Sequence, residues 1–191
     1  MEMELNKMSE NIKTIENMEY LQGEESMEKA ITDNEWKKPI KDLWEMCSDS
    51  MVWVYPDFGT EAFLSEIYKQ STTYFDIGRE VQVIVDSNNN LFMSVGSPGF
   101  VSFANQEDEL YGAKEPMRLP IKCWIHTHPN FNAYFSGTDW KTVDTWHGSL
   151  ESAIVLGKGE MWAYDCNTEI GKHIQFIKTN SGRRNIAEGE E

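Results

Sequence analysis

Two histidines stand two positions apart in Trp124-Ile125-His126-Thr127-His128-Pro129. The apolar run from Ile121 into His126 reads as a strand that enters a loop at Pro129. Side chains on a strand alternate faces, so both imidazoles project the same way. Two neutral imidazoles on one side are two legs of a tetrahedral zinc site, and Asp139, beyond a loop, is the obvious carboxylate for a third. Three protein ligands leave the fourth position to water, the layout of a catalytic ion rather than a closed structural one. The same residues also have a plainer reading. A His-x-His pair in a strand is often satisfied locally, and Ser136-x-x-Asp139 fits a capping-box variant that merely starts a helix. The two readings are compatible, because a capped helix is a rigid mount for a ligand.

Periodicity predicts the elements that carry these residues. Ile40, Leu43, Trp44 and Cys47 recur at helical spacing, which predicts a helix over 35–47. Met51 to Tyr55 reads as a short strand ending at Pro56. A helix over 60–70 follows, with Phe63, Leu64 and Ile67 on one stripe. Residues 80–85 alternate as a strand, Asp86 to Asn90 has turn chemistry, and 91–95 returns; 100–103 is a candidate third strand. Residues 104–119 read as a polar loop or insertion. After the motif strand come a helix from about Gly137 to Trp146 and three closing strands at 153–156, 161–164 and 173–177. The predicted fold class is α+β (α/β-like), a mixed central sheet flanked by helices.

His-x-His-Pro followed by Ser-x-x-Asp, with seven residues between His128 and Ser136, resembles the signature of the JAMM (MPN-plus) metallopeptidases. That family includes deubiquitinating isopeptidases. The motif has fixed spacing and here follows an apolar Cys-Trp-Ile, as in the family; the likeness extends less sharply over 60–178. The resemblance implies a JAMM/MPN, cytidine-deaminase-like architecture with one catalytic Zn2+ held by His126, His128 and Asp139. It further implies a glutamate as general base, upstream on a strand after the first helix. Glu80 opens the predicted strand 80–85 and follows the helix 60–70, which matches the family's order. Glu61 competes only if its own segment is a strand, and the apolar stripe there argues helix, so Glu80 is favoured. Many relatives carry glycine three residues after this glutamate, where Val83 stands here. By the same resemblance Ser136 donates a hydrogen bond to the tetrahedral oxyanion.

The reaction so implied is hydrolysis of a peptide or isopeptide bond in a protein or peptide substrate, with ubiquitin-like (β-grasp) modifier conjugates as the candidate class. The alternative is a non-catalytic MPN-type scaffold module. Retention of all four motif residues weighs against it, since such modules typically lack the ligands. Kinship with the RadC-like branch, which shares a His-x-His-Pro core, is a third reading.

Charge and composition narrow the field further. The chain has 191 residues with 17 basic and 32 acidic side chains, a net −15. That field repels phosphate backbones, which argues against nucleic acid as a partner and against the RadC-like reading. No apolar run reaches the roughly 18 to 20 residues of a bilayer span, and the acidic Met1-Glu2-Met3-Glu4 is unlike a signal peptide. Cys47, Cys123 and Cys166 are too few and scattered for a disulfide framework. The expectation is a soluble, cytoplasmic or intracellular protein without a membrane partner, its oligomeric state open. Three segments are expected: an acidic extension over 1–35, a JAMM/MPN-like domain over 36–181, and a frayed tail over 182–191.

Other residues near the motif get simpler assignments. Cys123 lies an odd number of positions from His126 and is expected in the core. Trp124 shares the face of His126, as cleft wall or as packing beneath it. Phe131, Tyr134 and Phe135 are expected to anchor the loop more than to line a groove. His147 and His173 have no partner at ligand spacing and read as exposed or core-edge histidines. The region 140–165 offers only His147 and no cysteine, so a second, structural zinc is not expected.

Overall fold

Asp57 begins the longest helix. Its carboxylate accepts from the Thr60 N–H and hydroxyl, both at 2.8 Å, and so satisfies an orphan donor of the first turn. A computed structural model describes residues 35–53, 56–75, 77–96, 99, 117–178 and 184–188. In chain order the elements are α1 (Lys37–Cys47), a 3-10 turn (Ser48–Ser50), α2 (Phe58–Thr73), β1 (Val81–Asp86), β2 (Leu91–Val95), β3 (Ile121–Thr127), α3 (Gly137–Thr145), β4 (Ser152–Gly157), β5 (Glu160–Asp165), β6 (Ile170–Lys178) and β7 (Arg184–Glu188).

The strands form one seven-stranded sheet in the order β2-β1-β3-β4-β5-β6-β7. Every neighbour is antiparallel except β3 and β4, so the sheet is mixed. The parallel pair needs a crossover, and α3 lies within it. Helices α1 and α2 cover one face. There Trp36, Ile40, Trp44, Phe63, Leu64 and Ile67 pack on Val83, Val85, Cys123, Ile125, Ile154 and Leu156. The other face carries α3, with Val143, Leu150 and Phe135 against Ile84, Trp124, Ala153 and Val155. Side chains of this size contribute about 1.5–3 kcal/mol each on full burial. The two clusters therefore fix which face each strand residue takes.

The expected α+β class with a mixed, helix-flanked sheet is what the chain adopts. Two details differ. The strand expected over 51–55 is absent at 51–53, where the chain leaves the 3-10 turn irregularly; Tyr55 lies outside the described residues. Val52 N–H instead donates to the Thr60 hydroxyl at 3.1 Å, tying this segment to the start of α2. The tail expected over 182–191 contains β7, whose Arg184 to Glu188 pair with Lys178 to Ile174. An edge strand with mixed polar residues gives little periodic signal. Residues 1–34 and the candidate strand 100–103 lie outside the described residues, as does most of the polar stretch 104–119. Among the described residues, no helix is long and apolar enough to cross a membrane.

Candidate metal centre

Strand β3 delivers the two histidines as its alternation requires. Cys123 and Ile125 are buried among the α1–α2 cluster, while Trp124 and His126 face the α3 side. Trp124 stacks on His126 with ring centroids 4.6 Å apart and 20° between planes. Its indole N–H donates to Gln82 Oε1 at 2.8 Å. Trp124 is thus both packing and wall: it is buried, and it lines the cleft. Thr127, between the ligands, turns to the other face. Its hydroxyl donates to Ser71 Oγ in α2 at 2.9 Å and accepts from Val81 N–H at 2.9 Å. Tyr68 in α2 donates to the Pro129 carbonyl at 3.1 Å, which holds the chain just beyond His128.

Asp139 reaches the histidines from the first turn of α3. Ser136 is the N-cap, and the capping box closes both ways: Asp139 N–H donates to Ser136 Oγ at 3.2 Å, and Ser136 N–H donates to Asp139 Oδ2 at 2.6 Å. The carboxylate is held by its own helix start, and its other oxygen faces His126. The capping box leaves Asp139 Oδ1 turned to His126, so the helix start and a candidate ligand position are compatible in one residue.

The three side chains converge. Asp139 Oδ1 lies 3.2 Å from His126 Nε2, and Oδ2 lies 3.8 Å from His128 Nε2. Potential ligand atoms of all three fall within 4.8 Å of one another, and all three residues are buried. A tetrahedral ion with bonds of about 2.0–2.1 Å holds its ligands about 3.3 Å apart, so the trio is near that spacing. Both ring nitrogens of His126 and Nδ1 of His128 are buried without a hydrogen-bond partner. Buried polar atoms are normally paired, and a cation shared by these groups would satisfy the nitrogens that face it. The trio fits a metal ion.

Electrostatics agree with that chemistry. Burial, and then the neighbouring His126, push His128 down to about 4, against the pull of Asp139. Its imidazole is therefore neutral at neutral pH, the form that ligates. Burial raises Asp139, but His126 and the Ser136 hydroxyl and N–H outweigh it and hold the acid at about 2. The carboxylate is ionised at neutral pH.

Glu80 stands opposite. Gln82 pairs with His126 in the antiparallel β1–β3 ladder, so two residues back along β1 and two forward along β3 bring Glu80 towards His128. Glu80 Oε1 lies 4.0 Å from His128 Nε2. Its backbone carbonyl accepts from Gly96 N–H at 2.8 Å, which continues the β1–β2 ladder and fixes the residue. Glu80 is buried and lines a cleft of about 120 Å³ together with the three candidate ligands, Ser136 and Trp124. Glu61 is buried in α2 and is not among the cleft residues. Val83, where relatives of the motif carry glycine, pairs with Ile125 and Met93 and is buried in the α1–α2 cluster.

The aromatic loop divides. Phe135 is buried against Trp140 and Tyr164 and anchors the loop. Phe131 and Tyr134 are 55% and 45% exposed and line the cleft, with Tyr134 4.9 Å from the His128 ring. The expectation that all three anchor the loop holds for Phe135 alone. His147 is exposed, as expected. His173 is not a lone histidine: its Nε2 lies 2.9 Å from Glu160 Oε2. That partnership spans two strands and left no local signal. Comparison with protein-family models, curated proteins and solved structures finds no match.

Proposed function

We propose that this chain is a zinc-dependent hydrolase of peptide or isopeptide bonds, of the JAMM type that its motif resembles. One observation carries the reading: His126, His128 and Asp139 converge in a cleft that also receives Glu80. His126, His128 and Asp139 would hold the ion. When bound, zinc supplies Lewis acidity and lowers the pKa of water towards about 7.

The remaining steps belong to the chain's own side chains. Glu80 accepts a proton from the attacking water and delivers it to the departing amine. Ser136 lines the cleft beside these groups and would turn its hydroxyl proton from Asp139 to the oxygen that gains charge. Loss of one such donor costs about 2.7–4 kcal/mol in other hydrolases. Phe131 and Tyr134 offer apolar surface at the mouth for substrate flanking the scissile bond. A modifier joined through a lysine amide is the substrate class we favour within this reading.

The test is hydrolysis of a fluorogenic modifier–lysine conjugate by the purified chain. Activity should vanish with chelator, return with zinc, and be lost in Glu80→Gln while zinc remains bound. Turnover that survives His128→Ala would sink the proposal.

A further inference from the structure

The loop from Pro129 to Phe135 joins the two ligand-bearing elements, so its course fixes how α3 meets β3. The β4–β5 hairpin stitches it at three successive points. The Leu156 carbonyl accepts from His128 N–H at 2.7 Å, Lys158 N–H donates to the Phe131 carbonyl at 3.1 Å, and Glu160 Oε1 accepts from Ala133 N–H at 2.7 Å. The fit is close: a Cβ at Gly157 would sit 2.1 Å from Ala133 N. Of the three bonds, only the last uses a side chain.

Glu160 is itself held. It opens β5, is buried, and its second oxygen, Oε2, lies 2.9 Å from His173 Nε2 on β6. The contact closes as a hydrogen bond in the tautomer that carries its proton on Nε2, because an ionised carboxylate can only accept. Glu160 pairs in register with Gln175, which makes His173 its diagonal neighbour. A buried carboxylate is costly without partners. Here one oxygen is given to the loop and the other to a histidine that fixes its direction.

We propose that Glu160, oriented by His173, is a positioning residue of the metal centre. It holds Ala133, the middle of the loop, and thereby sets how Asp139 meets His126 and His128. This rests on the metal-binding reading above. A merely architectural carboxylate would change the stability of the chain and leave the centre's affinity and geometry alone. Outer groups that orient ligands typically change metal affinity by about 10–100-fold when removed.

The experiment uses the full chain and zinc itself. Zinc affinity is read by competition with a chromophoric chelator, and geometry by the absorption spectrum of the Co2+ form, with unfolding of each metal-free variant alongside. Glu160→Ala should bind zinc about tenfold more weakly or worse and shift the Co2+ bands, whereas Glu160→Gln, which keeps an acceptor for Ala133 N–H, should stay within about threefold of wild type. His173→Ala should fall between them. Wild-type affinity and spectrum in Glu160→Ala overturn the proposal and leave the metal reading intact. So does a Glu160→Gln as weak as Glu160→Ala, because the loss would then follow charge and not the bond to Ala133. If Glu160→Ala does not fold, His173→Ala decides: weakened zinc binding supports the proposal and unchanged binding overturns it. A wild-type chain that binds no zinc overturns the metal reading, and this proposal with it.

Discussion

Glu80 and His128 meet across the extrapolated β1–β3 ladder, with Oε1 4.0 Å from Nε2, although neither residue lies within its strand. The register Gln82 to His126 sets that meeting. A shift of either strand by one residue would turn the pair to opposite faces. The Glu80 carboxylate and the two candidate histidines are therefore placed by backbone pairing, and side-chain substitutions can separate their roles.

Glu80→Gln provides that separation. It preserves size and burial and removes the proton-accepting charge. Turnover should fall by about 10²–10⁴-fold, the usual range for a lost general acid–base, while zinc content by elemental analysis stays at one ion per chain. Zinc loss in parallel with activity would make Glu80 a ligand and not a base.

The metal-free chain should lose stability on acidification. His128 is depressed from its ordinary 6.5 to about 4, so between those values the unfolded chain binds more protons than the folded one. Asp139, depressed from 3.8 to about 2, acts in the same direction over the lower window. Stability from both groups is complete above pH 6.5 and is withdrawn as pH falls through these two ranges. Urea unfolding of chelator-treated protein at pH 7, 5 and 4 should give falling midpoints, and His128→Gln should flatten the upper part of the fall.

Trp124 supports His126 through stacking and is tethered through Gln82. Trp124→Phe keeps a ring against the imidazole but removes the indole N–H that donates to the buried Gln82 Oε1, a loss of about 1–3 kcal/mol. A double-mutant cycle with Gln82→Leu, followed by chemical denaturation, should show strong non-additivity.

Two glycines should respond oppositely to alanine. A methyl at Gly157 would strike the Ala133 backbone, whereas at Gly137, in the first turn of α3, it meets nothing within 4 Å. Gly157→Ala should destabilise by about 1–3 kcal/mol or more, as overpacking does. Gly137→Ala should stabilise by about 0.4–1 kcal/mol through the unfolded chain. Thermal unfolding of the two variants side by side checks both.

Phe131 stands at the mouth with over half its surface exposed. Phe131→Ser should leave the unfolding midpoint and zinc affinity within error and raise KM for an apolar-flanked peptide about 5-fold or more, since one desolvated aromatic contact is worth about 1–3 kcal/mol. An unchanged KM would exclude the residue from substrate binding.

The motif and its mounting were legible in the sequence because they depend on short-range rules. Period-two alternation separated His126 and Trp124 from Cys123, and the Ser136–Asp139 spacing announced the helix start. The stripe of Phe63, Leu64 and Ile67 kept Glu61 in a helix and left Glu80 for the cleft. What escaped depends on pairing between distant strands. His173 finds Glu160 only because β5 and β6 adopt one register, and Ala133 finds the same carboxylate only because the hairpin folds over the loop. The exposure of Phe131 and Tyr134, against the burial of Phe135, follows from the direction of that loop, which composition does not encode. Met51 to Trp53 has strand composition, but its Val52 N–H is taken by Thr60 and not by a neighbouring strand.

Asp139 follows His126 by only thirteen positions. A cation tying so short a span closes a small ring, and small rings take little entropy from a denatured chain. The sheet is secured elsewhere, by apolar side chains on its two faces. If the proposed ion is bound, stripping it should slacken one connection and spare the architecture, and an emptied chain should take up a cation again without refolding.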